Sequence, residues 1–254
     1  MKSAFKHLFF YIYILLHQRK MRCDKVPIQY MFIRSKNKKG PLIVVFSAYN
    51  KKRAGYNYIK TLSTIKCDKL FIKDNFGSDR LGTYYLGFVN KSSIEKAVLE
   101  LVGTFSKKRM SRRIIFIGSS KGGYAALNFF LLFHNCDKFA IVGAPQYLLG
   151  SHLMNEGFSK MLIDICGSID EKTLNELDYK IKKELINYNA GGHLFLHYSS
   201  NEQYYSQQIE PLINDLQKSK LNYSLDVANY YYHSDVHKCF PHYILKCLKE
   251  LGND

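Results

Sequence analysis

Apolar residues along the chain fall into two rhythms, and their alternation is the first structural information the sequence offers. Short, largely apolar runs recur at Val26 to Arg34, Pro41 to Ser47, Lys69 to Lys73, Ile114 to Ile117, Lys138 to Gly143 and Gly192 to Tyr198, followed by a more polar strand-like stretch at Asn222 to Ala228. Stretches of this length bounded by turn formers predict strands, and the unbroken β-branched and aromatic character of Pro41 to Ser47 and Ile114 to Ile117 predicts that these two are buried at the centre of the sheet. Between them, Ser92 to Phe105 carries Ile94, Ala97, Val98, Leu101 and Val102 at helical spacing, with Ser92 or Ser93 placed to cap its start. Helical patterns also follow Tyr124, span Gln203 to Leu216, and close the chain from Lys238 to Leu251. Strands alternating with helices predict an α/β fold with a mostly parallel central sheet, flanked by helices and joined by right-handed crossovers. Leu148 to Tyr188 departs from this rhythm, with Leu174, Leu177, Ile181 and Leu185 in helical register amid glycines and charges. It reads as a lid-like insertion between strands.

The stretch Arg113 to Phe130, RIIFIGSSKGGYAALNFF, is a strand, a glycine-rich turn and a helix in immediate succession. Its turn, Gly118-Ser119-Ser120-Lys121-Gly122, fits G-x-S-x-G, a nucleophile elbow centred on Ser120. The nucleophile of such an elbow sits at a strained φ/ψ, and its neighbours two before and two after must lack a Cβ so that strand and helix can pass closely. Ser119 competes for the role but has no glycine two residues before it. The helix start also aims N–H groups and a positive dipole end at the turn, so the Lys121 amide is a candidate oxyanion donor. Ser47-Ala48 leaves the strand Pro41 to Ser47 at the place from which an α/β-hydrolase draws its second donor, making the Ser47 and Ala48 amides candidates too. The segment from Asp74 to Gly87 follows another strand end, and Asp74, Tyr84 and Tyr85 are its candidates for substrate contact.

A serine hydroxyl needs a base, and the base needs a carboxylate to fix its tautomer. In a hydrolase of this type the chain order is Ser, acid, His, each on a loop after a strand. Glu202 is the carboxylate of the loop Ser199-Ser200-Asn201-Glu202, and His233 follows the last strand in Tyr230-Tyr231-Tyr232-His233-Ser234-Asp235-Val236-His237. Glu202 could instead simply open the following helix, where an acid is favoured. His237, four residues beyond His233, is the rival base.

With 254 residues and 46% of them hydrophobic, the chain can bury one substantial core, assigned here to residues 23–254, with 1–22 as a peripheral segment. That segment has a basic start, an apolar run from Leu8 to Leu16 too short to span a bilayer, and a second basic cluster at Arg19, Lys20 and Arg22. It could lie on an anionic membrane face. A formal charge of +16 and a pI near 9.4 ask for an anionic partner. No nucleic-acid reading module is recognisable, so specific nucleic-acid binding is not expected, and an acidic glycan is the alternative. Six cysteines without a C-x-x-C pair predict free thiols in a reducing, cytoplasmic setting, and nine histidines form no metal motif, so no metal is expected.

The segments SSKGGYAALNFF, FIKDNFGSDRLGTYYLGF, HYSSNEQYY and YYYHSDV resemble the XcbB/CpsF-type capsular polysaccharide biosynthesis proteins. More distantly they resemble the accessory Sec system proteins that O-acetylate glycans on serine-rich adhesins. The resemblance covers about residues 40–250. It implies an α/β-hydrolase-like fold working on bacterial surface glycans, and a glutamate as the catalytic acid, which favours Glu202. The expected activity is that of a serine acyltransferase or esterase with Ser120, His233 and Glu202 as its triad, needing no bound cofactor beyond an acyl donor such as acetyl-CoA, and placed in the cytoplasm, at the inner membrane face if residues 1–22 act. The alternative is a non-catalytic assembly partner in capsule biosynthesis that keeps the hydrolase fold.

Overall fold

The computed structural model describes residues 12–36, 40–110, 113–134 and 137–253. Eight of its strands form one sheet: β1 Gln18–Cys23, β2 Val26–Ile33, β3 Leu42–Phe46, β4 Asp68–Lys73, β7 Arg113–Ser119, β8 Asp137–Gly143, β9 His193–Ser199 and β10 Asn222–Ala228. A separate small hairpin pairs β5 Phe88–Val89 with β6 Ser92–Ser93. The sheet order is β1-β2-β4-β3-β7-β8-β9-β10, antiparallel at β1/β2 and β2/β4 and parallel from β4 to β10. Every predicted strand lies within a residue or two of its expected place.

The continuous apolar runs are explained by burial on both faces. In β3 all five residues are buried. Leu42, Val44 and Phe46 face one core with α1 Ile94–Arg109 and α2 Lys121–Leu132, while Ile43 and Val45 face a second with the closing helix α7 Val236–Glu250. Helix α1 starts where expected, its Lys96 N–H donating to the Ser93 hydroxyl. Three helices, α3 Leu149–Asn155, α4 Ser159–Cys166 and α5 Glu171–Ile186, occupy the insertion between β8 and β9. A π-helical turn at Tyr205–Ile209 leads into α6 Glu210–Lys218.

The amino-terminal segment differs from expectation. Residues 1–11, and with them the basic start and the first four residues of the apolar run, lie outside the described residues. The basic cluster Arg19, Lys20 and Arg22 is no loose appendage: it sits in β1, which turns at Asp24 and Lys25, both at positive φ, to pair with β2. A boundary at residue 22 would therefore cut a strand. Only Met21 and Cys23 point inward from β1. Charges along such an edge discourage pairing with another chain, and they also hide the strand from a hydrophobicity pattern. Among the described residues, no helix is long and apolar enough to cross a membrane, and no group of three or more His, Cys, Asp or Glu is placed to hold a metal ion. The five described cysteines, Cys23, Cys67, Cys166, Cys239 and Cys247, are free thiols.

Candidate active site

The turn between β7 and α2 has the geometry its glycines announced. Ser120 stands at φ 52°, ψ −125°, with its N–H donating to Gly143 O at 2.9 Å and its carbonyl accepting from Tyr124 N–H at 2.9 Å. A Cβ on Gly118 would lie 2.0 Å from Gly122 O, and one on Gly122 would lie 2.8 Å from Phe46 O. Both glycines are therefore demanded by backbone contact: the first lets helix follow strand, and the second lets the helix pack against the end of β3. Ser119 is largely buried at the cleft wall, and its hydroxyl is held by Tyr58 Oη. Ser120 is the serine of this turn whose hydroxyl meets the His233 ring.

His233, in a 3₁₀ turn after β10, brings Nε2 to 2.8 Å from Ser120 Oγ. Its Nδ1 lies 3.0 Å from Glu202 Oε2. The Glu202 side chain is 1% exposed and that of His233 18%, so the acid is shut from water while the base is reachable. Ser199, at the end of β9, ties the two loops together: its hydroxyl donates to Tyr230 O at 2.7 Å and accepts from Tyr230 N–H at 3.1 Å. His237 lines the cleft, but its Nδ1 contacts Ser234 O in its own turn, and Asp235 pairs with Lys238 at 2.7 Å. Among the remaining histidines, His193 bonds Ser224, His197 bonds Asp226 from the sheet, and His134 and His242 are exposed.

The proposed oxyanion donors fare unevenly. Lys121 is the first residue of α2, where N–H groups have no acceptor within the helix. The Ser47 N–H, by contrast, donates to Tyr85 Oη at 2.7 Å, which removes it from consideration. That of Ala48, on the cleft wall, donates to Asn57 Oδ1 at 2.9 Å. Gln146, for which the sequence suggested no role, stands beside Ser120 on the cleft wall. Its Nε2 lies 3.3 Å from Ser120 Oγ and 3.5 Å from His233 Nε2. The signal available was its position two residues past Ala144, a strand-end residue whose φ of 38° turns the chain over the elbow.

The loop from Asp74 to Gly87 also needs correction. Asp74 is fully buried; it pairs with Lys121 Nζ at 2.7 Å and accepts from the N–H groups of Thr83 and Tyr85. Tyr85 is buried as well, its hydroxyl donating to Ile72 O at 2.8 Å beside Ser47. Neither touches the cleft. They are a clasp beneath it, and of the three loop candidates only Tyr84 lines the cleft. Gly82, at φ 112°, is required by this clasp, since a Cβ there would lie 2.2 Å from Lys121 Nζ.

The cleft above Ser120 has a volume of about 650 Å³, within the range of small-molecule sites. One wall is the segment after β3, including Tyr49, Asn50 and Lys51; the other comes from the insertion, through His152, Glu156, Phe158 and Met161. His152 is pushed down to about 4, chiefly by burial. It is therefore neutral at pH 7 and adds no positive charge near His233, with Tyr204 edge-on to both rings at 5.2 Å.

No family model and no curated protein sequence matches the chain. Solved structures do match in shape. The capsule O-acetyltransferase of Neisseria meningitidis serogroup A superposes with a TM-score of 0.69 at 18% identity, covering 92% of this chain and 99% of that one. A histidine-to-alanine variant of that enzyme in complex with CoA gives a TM-score of 0.72 at 17% identity over 92% and 99% of the two chains. The glycosylation-associated protein complex Gap123 from Streptococcus agalactiae gives 0.73 at 17% identity, over 92% of this chain and 46% of that chain. An S-formylglutathione hydrolase from Agrobacterium tumefaciens matches at 0.64 and 10% identity, over 89% and 91%. The sheet order, the elbow and these superpositions agree that the chain has the α/β-hydrolase fold.

Proposed function

We propose that this protein is a serine acyltransferase or esterase acting on a bacterial capsule or related surface glycan, with Ser120 as nucleophile, His233 as base and then acid, and Glu202 as the orienting carboxylate. The observation that carries the reading is the unbroken relay from Ser120 Oγ through both nitrogens of His233 to Glu202. The similarity in shape to a capsule O-acetyltransferase supports the glycan and the transfer reaction, and the CoA complex of that enzyme supports an acyl-CoA donor.

In the first half-reaction Ser120 Oγ attacks the acyl carbonyl while its proton passes to His233 Nε2, and Glu202 stabilises the imidazolium through Nδ1–H. Collapse of the tetrahedral intermediate expels the donor's leaving group, which takes the proton from His233 and leaves an acyl ester on Ser120. In the second half-reaction His233 removes a proton from the acceptor hydroxyl, or from water in an esterase, and that oxygen takes the acyl group and frees Ser120. The oxyanion is met by the Lys121 N–H and by Gln146 Nε2; Ala48 N–H joins only by giving up Asn57. Removing one such donor typically costs on the order of 10²-fold in turnover. Gln146→Ala should therefore slow p-nitrophenyl acetate hydrolysis by about that factor, and a loss of less than about threefold would remove Gln146 from the hole.

The proposal extends to a cytoplasmic enzyme that meets its glycan before export, at the inner membrane face if residues 1–22 engage lipid. An acidic glycan would match the net charge of +16. A fluorophosphonate probe tests the core of the reading. It should label the protein at one site and fail on Ser120→Ala. A folded protein that takes no label would instead support a binding partner that keeps the fold without the chemistry.

A further inference from the structure

Beside the catalytic cleft lies a second one, of about 510 Å³. The segment after β3 is the ridge between them: Tyr49, Asn50 and Lys51 face the catalytic side, while Lys52 to Tyr56 face the other. Four cations, Lys52, Arg53, Lys73 and Arg80, line this second cleft against a single carboxylate, Asp79. Asp79 is itself engaged, accepting from Leu81 N–H at 2.8 Å. Among the described residues, Lys52, Lys73 and Arg80 make no ion pair. Among the described residues, Lys73 has only Gln18 Oε1 at 3.5 Å and the face of the Tyr56 ring. Burial and the nearby Arg53 both lower its affinity for a proton. Lys52, Lys73 and Arg80, gathered in a concave site without an ion-pair partner among the described residues, repel one another, and the arrangement is relieved by a bound anion. A second, independent feature points the same way. Asn75 lines the cleft, and its side-chain oxygen is buried with no hydrogen-bond partner among the described residues. A ligand hydroxyl would satisfy it as it stands, and with the amide turned its NH₂ would donate to a phosphate oxygen.

We propose that this second cleft holds a phosphate-bearing part of the substrate whose reacting end lies at Ser120, an inference that rests on the reading of Ser120 as the nucleophile. A ligand crossing the ridge would place its phosphate among Lys73, Arg53 and Arg80 and its acyl or hydroxyl group in the catalytic cleft. The phosphate has two possible sources, the nucleotide end of an acyl-CoA donor and a phosphorylated sugar of the acceptor, and the same cations serve either.

The test is calorimetric titration of the Ser120→Ala protein, which binds without turning over. The probes are CoA against acetyl-pantetheine, which lacks the nucleotide, and N-acetylglucosamine 1-phosphate against N-acetylglucosamine. At least one phosphate-bearing probe should bind about 10-fold or more tightly than its neutral counterpart, and Lys73→Gln with Arg80→Gln should abolish that preference while leaving the neutral probe unchanged. Preference for CoA assigns the cleft to the donor, and preference for the sugar phosphate assigns it to the acceptor. If neither phosphate improves binding, or if the improvement survives in the double variant, the site does not exist. Fluorophosphonate labelling of a Lys73→Gln/Arg80→Gln protein with Ser120 intact should proceed at the parental rate, which shows that its fold and elbow are sound. Phosphate binding in a protein that never labels would keep the anion site and reject the serine mechanism, so the two readings fail separately.

Discussion

Replacing His233 by alanine should lower ester turnover by roughly 10⁴- to 10⁶-fold, the usual consequence of losing a triad base. His237→Ala should leave turnover within a few-fold of the parent, about what a residue on the rim contributes. The contrast follows from geometry. His233 Nε2 is 2.8 Å from Ser120 Oγ and its Nδ1 is 3.0 Å from Glu202, whereas the His237 ring bonds the carbonyl of Ser234. Glu202→Gln should be milder than loss of the base, about 10³- to 10⁴-fold, because an amide can still hold the ring while no longer stabilising the imidazolium. Single-turnover labelling with a fluorophosphonate separates the cases: slow for His233→Ala, intermediate for Glu202→Gln, near normal for His237→Ala. Normal turnover in His233→Ala, or collapse in His237→Ala, would overturn the assignment while leaving Ser120 untouched.

The parts of the fold that were legible are those where one physical requirement acts on a short stretch. Burial on both faces makes β3 and β7 continuous apolar runs, and close passage of helix over strand forces Gly118 and Gly122. Once the strands were placed, the three loops that carry Ser120, Glu202 and His233 followed from their order. What stayed hidden depends on three-dimensional neighbours. Nothing in Ser47-Ala48 reveals that Tyr85 and Asn57 hold their amides. Gln146 gains its place only when Ala144 turns the chain back over the elbow. Edge strand β1 escaped notice because its outward face is charged. The sequence of the loop after β4 suggests a ligand loop, because glycine, aspartate and tyrosine after a strand usually mark one. Here such residues serve another purpose, the clasp formed by Asp74, Gly82, Tyr85 and Lys121.

That clasp carries the largest stability effect expected outside the hydrophobic core. Asp74→Ala leaves the Lys121 ammonium, 1% exposed, without a counter-charge in the interior, and breaking a buried pair from one side costs about 3–5 kcal/mol. It also strips the Thr83 and Tyr85 N–H groups of their acceptor, loosening the loop whose Tyr85 hydroxyl holds Ser47 at the exit of β3. Urea unfolding should therefore show a large drop in midpoint for Asp74→Ala. The double variant Asp74→Ala/Lys121→Met should recover part of the loss, because an apolar side chain removes the stranded charge. Recovery should be incomplete, since the two backbone N–H groups remain unpaired. Lys121 directly follows Ser120, so the clasp also anchors the residue whose own N–H is the proposed oxyanion donor. Turnover in the double variant should thus fall further than its remaining stability alone would explain. A midpoint for Asp74→Ala within about 1 kcal/mol of the parent, or a double variant no more stable than the single, would show that the buried charge is not what the loop is built to neutralise.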